Sequence, residues 1–236
     1  MTSGAESRSP LDLLGALAVE EVDLTPSTRH LEIYTMEGLL GLMWHGARHA
    51  TDVAVLLGGG MGGFLGPAGG LYHELGDGLA AAGMGVLRVD YRRPSRLESS
   101  LLDTVAAVDL AARSGAERFV FVGHSFGGAV AIQSALAVAG LTAGVVCLST
   151  QSAGCEDAGR LDVPLLFLHG GSDRILGAEN SHMVRAIAGR GEVEVLAGAD
   201  HLLLEARQHV HERLAGWIPA QLDAHRARAG ATTTQE

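Results

Sequence analysis

Past residue 50 the chain falls into short, near-continuous apolar runs separated by longer stretches of helical pattern. The runs cover residues 53–57, 85–90, 118–123, 144–149, 164–170 and 192–197. Runs of this length, rich in Val and Leu, fit strands buried on both faces. The stretches between them predict helices over about 71–82, 101–113, 126–139, 179–188 and 202–218. Ser100 and Asp103 suggest a capping box for the second of these, and Gly115 and Gly140 are natural stops. Upstream, residues 31–46 read as two strands joined at Glu37-Gly38, a hairpin. Strands alternating with helices imply a parallel sheet covered on both faces. In such sheets ligands sit outside the carboxyl ends of the strands.

Residues 1–10 and 224–236 lack this patterning and are expected to be disordered, leaving 11–223 as a single domain. Apolar residues make up 47% of the 236 and aromatics only 4%, so the core must be built from Ala, Leu and Val. A net charge of −10 argues against nucleic acid or anionic membranes as partners. All seventeen basic residues are arginine. Without lysine there is no P-loop lysine, no pyridoxal Schiff base and no Ser–Lys dyad. Cys147 and Cys155 form neither a disulfide framework nor a zinc spacing, and no metal or other cofactor is expected. The apolar patch at 11–19 has no basic start and runs into Glu20, Glu21 and Asp23, which is unlike a signal peptide. No run approaches the length of a membrane span. The expectation is a soluble cytoplasmic protein.

The segment Arg118-Phe119-Val120-Phe121-Val122-Gly123-His124-Ser125-Phe126-Gly127-Gly128 carries the most chemistry. An apolar strand ends in Gly-x-Ser-x-Gly and opens into an alanine-rich helix, the setting of a nucleophile elbow. In a chain with 33 glycines the pattern alone is weak, and its strand–turn–helix context gives it weight. The plain alternative is a glycine-rich turn whose serine caps the helix.

Serine needs a base, and the base needs an orienting acid. The order in sheets with this elbow is Ser, then acid, then His. Asp173 follows the strand-like run at 164–170, and His201 follows the next one. Ser125, Asp173 and His201 therefore fall beyond three separate strands at one sheet edge. Asp200 is a poor alternative acid, because adjacent side chains diverge. His169 and His124 read as buried structural histidines, with His169 the reserve candidate for the base. A tetrahedral intermediate needs backbone N–H donors. Phe126 would supply one, and Gly60 or Met61, in Gly58-Gly59-Gly60-Met61-Gly62-Gly63, the other. The same glycine run admits a nucleotide-loop reading, with Asp90 at the end of the next strand as the acid.

Together, Gly-Gly-Gly-Met, Gly-His-Ser-Phe-Gly-Gly, His-Gly-Gly-Ser-Asp and Ala-Asp-His resemble the α/β-hydrolase superfamily over about residues 50–218. The compact form is similar to dienelactone-hydrolase-like proteins and small carboxylesterases. The resemblance implies an α/β-hydrolase fold with an eight-stranded, mostly parallel sheet and a Ser125–His201–Asp173 triad. Two features depart from the family. Gly58-Gly59 stands where many members have His-Gly, and serine stands where dienelactone hydrolases proper use cysteine.

Counting the two hairpin strands, only 150–163 separates the sixth strand from the seventh, too little for a substantial helical cap. An open pocket is expected, bordered by Phe64, Leu65, Tyr91, Arg92, Gln151 and Ser152, with Cys155 near its rim as an ordinary thiol. Arg92 and Arg93 would either meet a substrate carboxylate or pair with acids of the protein. The reading is a cofactor-free serine hydrolase acting on a small soluble ester or thioester. An amide-cleaving enzyme and a catalytically idle binding protein on the same scaffold are the alternatives.

Overall fold

The computed structural model describes residues 8–233. Helix α1 (Pro10–Leu14) leads into β1 (Ala16–Thr25), β2 (Thr28–Thr35) and β3 (Gly38–His45). Then come β4 (Asp52–Leu57), α2 (Pro67–Ala81), β5 (Gly85–Asp90), α3 (Leu97–Arg113), β6 (Arg118–His124) and α4 (Phe126–Ala137). The last third holds β7 (Thr142–Leu148), β8 (Leu165–Gly170), α5 (Glu179–Ala188), β9 (Glu192–Leu196) and α6 (Arg207–Thr233).

The strands form one sheet in the order β1-β2-β3-β5-β4-β6-β7-β8-β9. The first three are antiparallel and β3 runs antiparallel to β5, while β5, β4 and β6 to β9 are parallel. Alternation within a strand divides the core in two. Val53, Val55 and Leu57 pack with residues of α3, α4 and α5 on one face. Ala54 and Leu56 pack with α2 and α6 on the other. Both faces of β4 are thus apolar, which is why its sequence shows a continuous run rather than an alternation.

Four expectations need correction. The sheet has nine strands, not eight. The extra one is β1, whose residues are all exposed, so no buried face stamps a period on its sequence. Disorder over 1–10 does not hold where the chain is described: Ser9 caps α1 in a reciprocal capping box with Asp12. Residues 1–7 lie outside the described residues. The stretch 224–233 is helical, as the continuation of α6. Arg226 bonds Asp52 at the start of β4 and Asp223 one turn back, anchoring the helix to the sheet. Residues 234–236 lie outside the description. Finally, Ser100 and Asp103 do not cap α3, which begins a turn earlier; both are buried inside it. Asp103 instead takes the backbone N–H of Arg92 at 2.8 Å and its Nε at 2.5 Å.

The connection from β7 to β8 holds one 3₁₀ turn, Ala158–Arg160, and no cap. The carboxyl edge of the parallel strands stays open.

Candidate active site

Ser125 joins β6 to α4 at φ 56°, ψ −118°, outside the regions an L-residue normally occupies. Such a conformation costs about 1–3 kcal/mol and persists only where its surroundings enforce it. The enforcement is visible. The Ser125 N–H donates to the Leu148 carbonyl of β7 at 2.8 Å, and its own carbonyl receives the Gly128 N–H at 3.0 Å. A Cβ on Gly123 would overlap the Gly127 carbonyl, and one on Gly127 would overlap those of Leu57 and Gly58. Strand and helix can cross this closely only because both positions are glycine.

Asp173 lies just past β8 with its side chain fully buried. One carboxylate oxygen accepts the N–H groups of Ile175 (2.8 Å) and Leu176 (2.9 Å). The other lies 2.7 Å from Nδ1 of His201. Burial alone would raise the carboxyl pKa, but the Leu176 N–H, the His201 ring and the Ile175 N–H outweigh it and hold it below the usual value. Asp173 is therefore an anion that fixes a proton on His201 Nδ1 and leaves Nε2 as the basic nitrogen. No hydrogen bond joins Ser125 Oγ to His201 among the described residues. Such bonds often tighten only when substrate is bound.

The other two histidines have defined places. His169 Nε2 donates to the Leu176 carbonyl at 2.9 Å and lies 3.3 Å from Asp173; Nδ1 accepts from Ser181 Oγ at 2.7 Å. Both ring nitrogens are engaged and the residue is fully buried, so it supports the acid loop. His124 Nε2 donates to the main-chain carbonyl of His201 at 3.0 Å, with the two rings 4.9 Å apart. Burial, with His201 nearby, pushes the His124 pKa down to about 4 despite that bond. The residue before the candidate nucleophile thus holds the loop of the candidate base, a link with no signal in the sequence.

A cleft of about 470 Å³ opens beside Ser125, lined among others by Gly60, Ser95, Leu97, Phe126, Ile175 and Leu176. Of the expected border residues Gln151 lines it and the remaining five do not. Phe64 packs edge-on to His30 and under Arg88. Leu65 is exposed, and its carbonyl accepts the Tyr72 N–H. Tyr91 is buried beneath the glycine loop, its hydroxyl directed at the Gly58 carbonyl at 3.4 Å. Arg92 is drawn inside by Asp103, Thr35 and Glu37, so it faces acids of the protein rather than a ligand. Ser152 donates through both N–H and Oγ to Asn180. Cys155 is fully buried rather than at a rim, and burial pushes its thiol pKa up to about 12.

The glycine loop is clamped from β5 and the segment after it. Asp90 accepts the Gly63 N–H at 2.6 Å, and Ser95, itself at φ 65°, donates to the Gly60 carbonyl at 2.6 Å. Gly60 lines the cleft, whereas the Met61 side chain is 95% exposed. The role of Asp90 as a clamp on this loop leaves the nucleotide-loop reading without its acid. Ser95 and Leu97 escaped the sequence reading because they follow a strand that carries no part of the Ser, Asp, His order. Ile175 and Leu176 were in reach of it, being two and three residues past Asp173.

The structure also brings together a group that the sequence spacing hid: His45 of β3 with His73 and Asp77 of α2, ligand atoms all within 4.8 Å. His45 uses both nitrogens already. Nδ1 lies 2.9 Å from Asp77, and Nε2 receives the Arg88 guanidinium at 3.2 Å. A guanidinium donor is the opposite of the acceptor that a metal-bound histidine normally faces with its other nitrogen.

An open, mostly parallel sheet with a serine elbow and an acid–histidine pair at its carboxyl edge is the α/β-hydrolase arrangement. The sequence model of the dienelactone hydrolase family matches residues 76–228, more than half of the chain, and the chain belongs to that family. No curated protein sequence matches it. Among solved structures it is similar to Est1E from Butyrivibrio proteoclasticus, at TM-score 0.72 and 14% identity over 82% of this chain and 99% of that one. It is similar to a dienelactone hydrolase from Anabaena variabilis, at TM-score 0.70 and 16% identity over 86% and 98%. An alpha-beta serine hydrolase homologue from Coxiella burnetii gives TM-score 0.63 and 16% identity over 82% and 98%. At these identities the likeness is one of fold. The protein is a hydrolase by family, and no helix among the described residues is long and apolar enough to cross a membrane.

Proposed function

We propose that the chain is a serine hydrolase that cleaves a carboxylic ester or thioester of a small, uncharged substrate through an acyl-enzyme on Ser125. The observation that carries this reading is the strained Ser125 backbone on the same sheet edge as a buried, hydrogen-bonded Asp173–His201 pair. His201 Nε2 takes the Ser125 Oγ proton as the oxygen attacks the acyl carbonyl. It then gives that proton to the leaving alcohol or thiol. Asp173 keeps the ring in the Nδ1–H tautomer and stabilises the transient imidazolium. The Phe126 N–H and an N–H of the glycine loop receive the developing oxyanion. Gly60 is the favoured loop donor, since it borders the cleft. Water then releases the acid by the same route in reverse.

The substrate class follows from the cleft lining. Leu97, Phe126, Ile175 and Leu176 are apolar, the polar groups are Ser95, Ser125 and Gln151, and none of the lining residues carries a charge. A neutral acyl group fits such a wall, while a substrate carboxylate has no cation to meet there. Serine in place of cysteine and the inward turn of Arg92 both point away from a dienelactone substrate. Ferulic acid is bound in one structure of Est1E, which makes an uncharged aryl ester a sensible first aromatic probe. Two buried free cysteines fit a cytoplasmic setting.

The test is hydrolysis of p-nitrophenyl esters from acetyl to dodecanoyl, with the matching anilide, by the wild type and Ser125→Ala. Short neutral esters should turn over and the anilide should not, and the variant should lose about 10³-fold or more of kcat. Undiminished turnover by a folded Ser125→Ala protein would overturn the mechanism. Preferred cleavage of the anilide would overturn the ester assignment.

A further inference from the structure

A second cavity lies at the other edge of the sheet. It is a space of about 190 Å³ between the C-terminal half of α3 and strands β2, β3 and β5. Leu31, Leu42, Trp44, Leu87, Leu110 and Ala111 form its apolar wall. An apolar protein cavity of about 150 Å³ is enough to hold benzene. Its polar side carries Arg29, Arg48 and Glu21.

Arg29 is the unusual member. Its side chain is only 10% exposed, yet its guanidinium makes no hydrogen bond among the described residues. The nearest carboxylate oxygen, on Glu21, is 3.9 Å from Nε. Glu21 is itself engaged by Arg48, which also reaches Asp23 at 3.3 Å. The Trp44 ring lies 5.6 Å from the Arg29 guanidinium carbon, and its indole N–H is spent on the Gly46 and Ala47 carbonyls. His49 faces the Ser114 carbonyl. Two arginines thus face two acids, Glu21 and Asp23, and of the two cations only Arg29 has no hydrogen-bonded carboxylate. The Arg29 N–H groups are left to the solvent of the cavity, and a ligand carboxylate would replace that water with charge-assisted bonds.

We propose that this cavity is a binding site for a monocarboxylate with a short apolar body, its carboxylate on Arg29 and its hydrocarbon against Trp44, Leu42 and Leu110. A single carboxylate matches the one guanidinium that no described residue hydrogen-bonds, and the apolar wall matches a medium-length alkyl or aryl group. Helix α3 separates this site from the cleft. Leu97 at its start lines the cleft and Ser114 at its end lines the cavity, about 25 Å apart along the helix at 1.5 Å per residue. The proposal does not depend on the catalytic role of Ser125.

The test is a titration of the intact protein with octanoate, and with octan-1-ol as the uncharged control, read by Trp fluorescence and methyl NMR. Saturable octanoate binding should shift the Leu42 and Leu110 methyls, and octanol should bind about tenfold or more weakly. Arg29→Gln should weaken octanoate about tenfold and leave octanol unchanged. Absence of saturation would overturn the proposal. So would shifts confined to Leu97 and Leu176 beside Ser125, equal affinity for the alcohol, or an Arg29→Gln protein that is folded and binds octanoate as before. Should that variant fail to fold, the methyl map and the acid–alcohol comparison on the wild type still decide.

Discussion

His124 makes the stability of this protein acid-sensitive by an amount that the structure allows one to work out. The ring is buried and donates from Nε2 to the His201 carbonyl, and no hydrogen bond to Nδ1 is present among the described residues. A second proton would place a charge on a largely buried ring, close to His201 and His169. The folded protein therefore resists protonation down to about pH 4, whereas an unfolded histidine titrates near ~6.5. Because the folded pKa is depressed, the unfolded chain binds more protons throughout this window. Stability must then fall as the pH drops from 6.5 towards 4. Integrated, the loss is about 2 kcal/mol by pH 5 and about 3 kcal/mol by pH 4. Asp173 adds to the same trend lower down. Its depressed pKa contributes stability that is present above the ordinary carboxylate value and lost as the pH falls through the folded one. The assay is urea unfolding from pH 7 to pH 4 on the wild type and on His124→Gln, which keeps an N–H donor but cannot be protonated. Any constant offset between the two proteins is irrelevant. The stability difference should shift by about 3 kcal/mol across the range in favour of the glutamine variant. Two curves parallel to within about 1 kcal/mol would refute the reasoning, since His124 would then titrate as it does in the unfolded chain.

Gly123→Ala should be severely destabilising or yield no soluble protein, by about 4 kcal/mol or more in thermal unfolding, because its Cβ overlaps the Gly127 backbone; a variant of wild-type stability would contradict the elbow packing. Arg92→Met should cost about 3–5 kcal/mol by stranding the buried Asp103 carboxylate, yet leave KM for neutral esters unchanged, which steady-state kinetics on the folded variant would check. Ser95→Ala should lower kcat about tenfold with little change in KM, because it frees the Gly60 carbonyl that orients the glycine loop; an effect on KM alone would make Ser95 a substrate contact instead. Asp173→Asn and His201→Ala should each lower kcat by about 10³-fold or more and combine with Ser125→Ala non-additively; additive losses would mean that the three do not act as a unit.

The parts of this fold that were legible in the sequence are those where burial imposes a pattern. β5 and β8 lie inside the sheet with both faces covered, so composition alone marks them. β1 carries Leu17, Val19, Val22 and Leu24, but Glu20-Glu21 breaks their alternation and none is buried, so its pattern does not read as a core strand. The end of α6 was hidden for a related reason. Residues 224–230 look like a polar tail, and only the tertiary bond from Arg226 to Asp52 shows why the helix continues. At the candidate site, the sequence order of Ser125, Asp173 and His201 reveals a common sheet edge because each follows a parallel strand. The cleft wall was mostly illegible. Whether Arg92 points outward or into Asp103 depends on where α3 begins, and the sequence pattern puts that start a turn later than Leu97. Likewise, His73 and Asp77 share a helix face at i,i+4, but His45 joins them only because β3 packs beside α2, which no local spacing records.

The proposed chemistry requires Ser125 to be a nucleophile activated by its neighbours. The most direct measurement is reaction of the folded protein with a fluorophosphonate, followed by peptide mapping. One adduct on Ser125 is expected, absent from Ser125→Ala and strongly slowed in His201→Ala. A folded wild-type protein that takes no label, or takes it at another residue, would contradict the account.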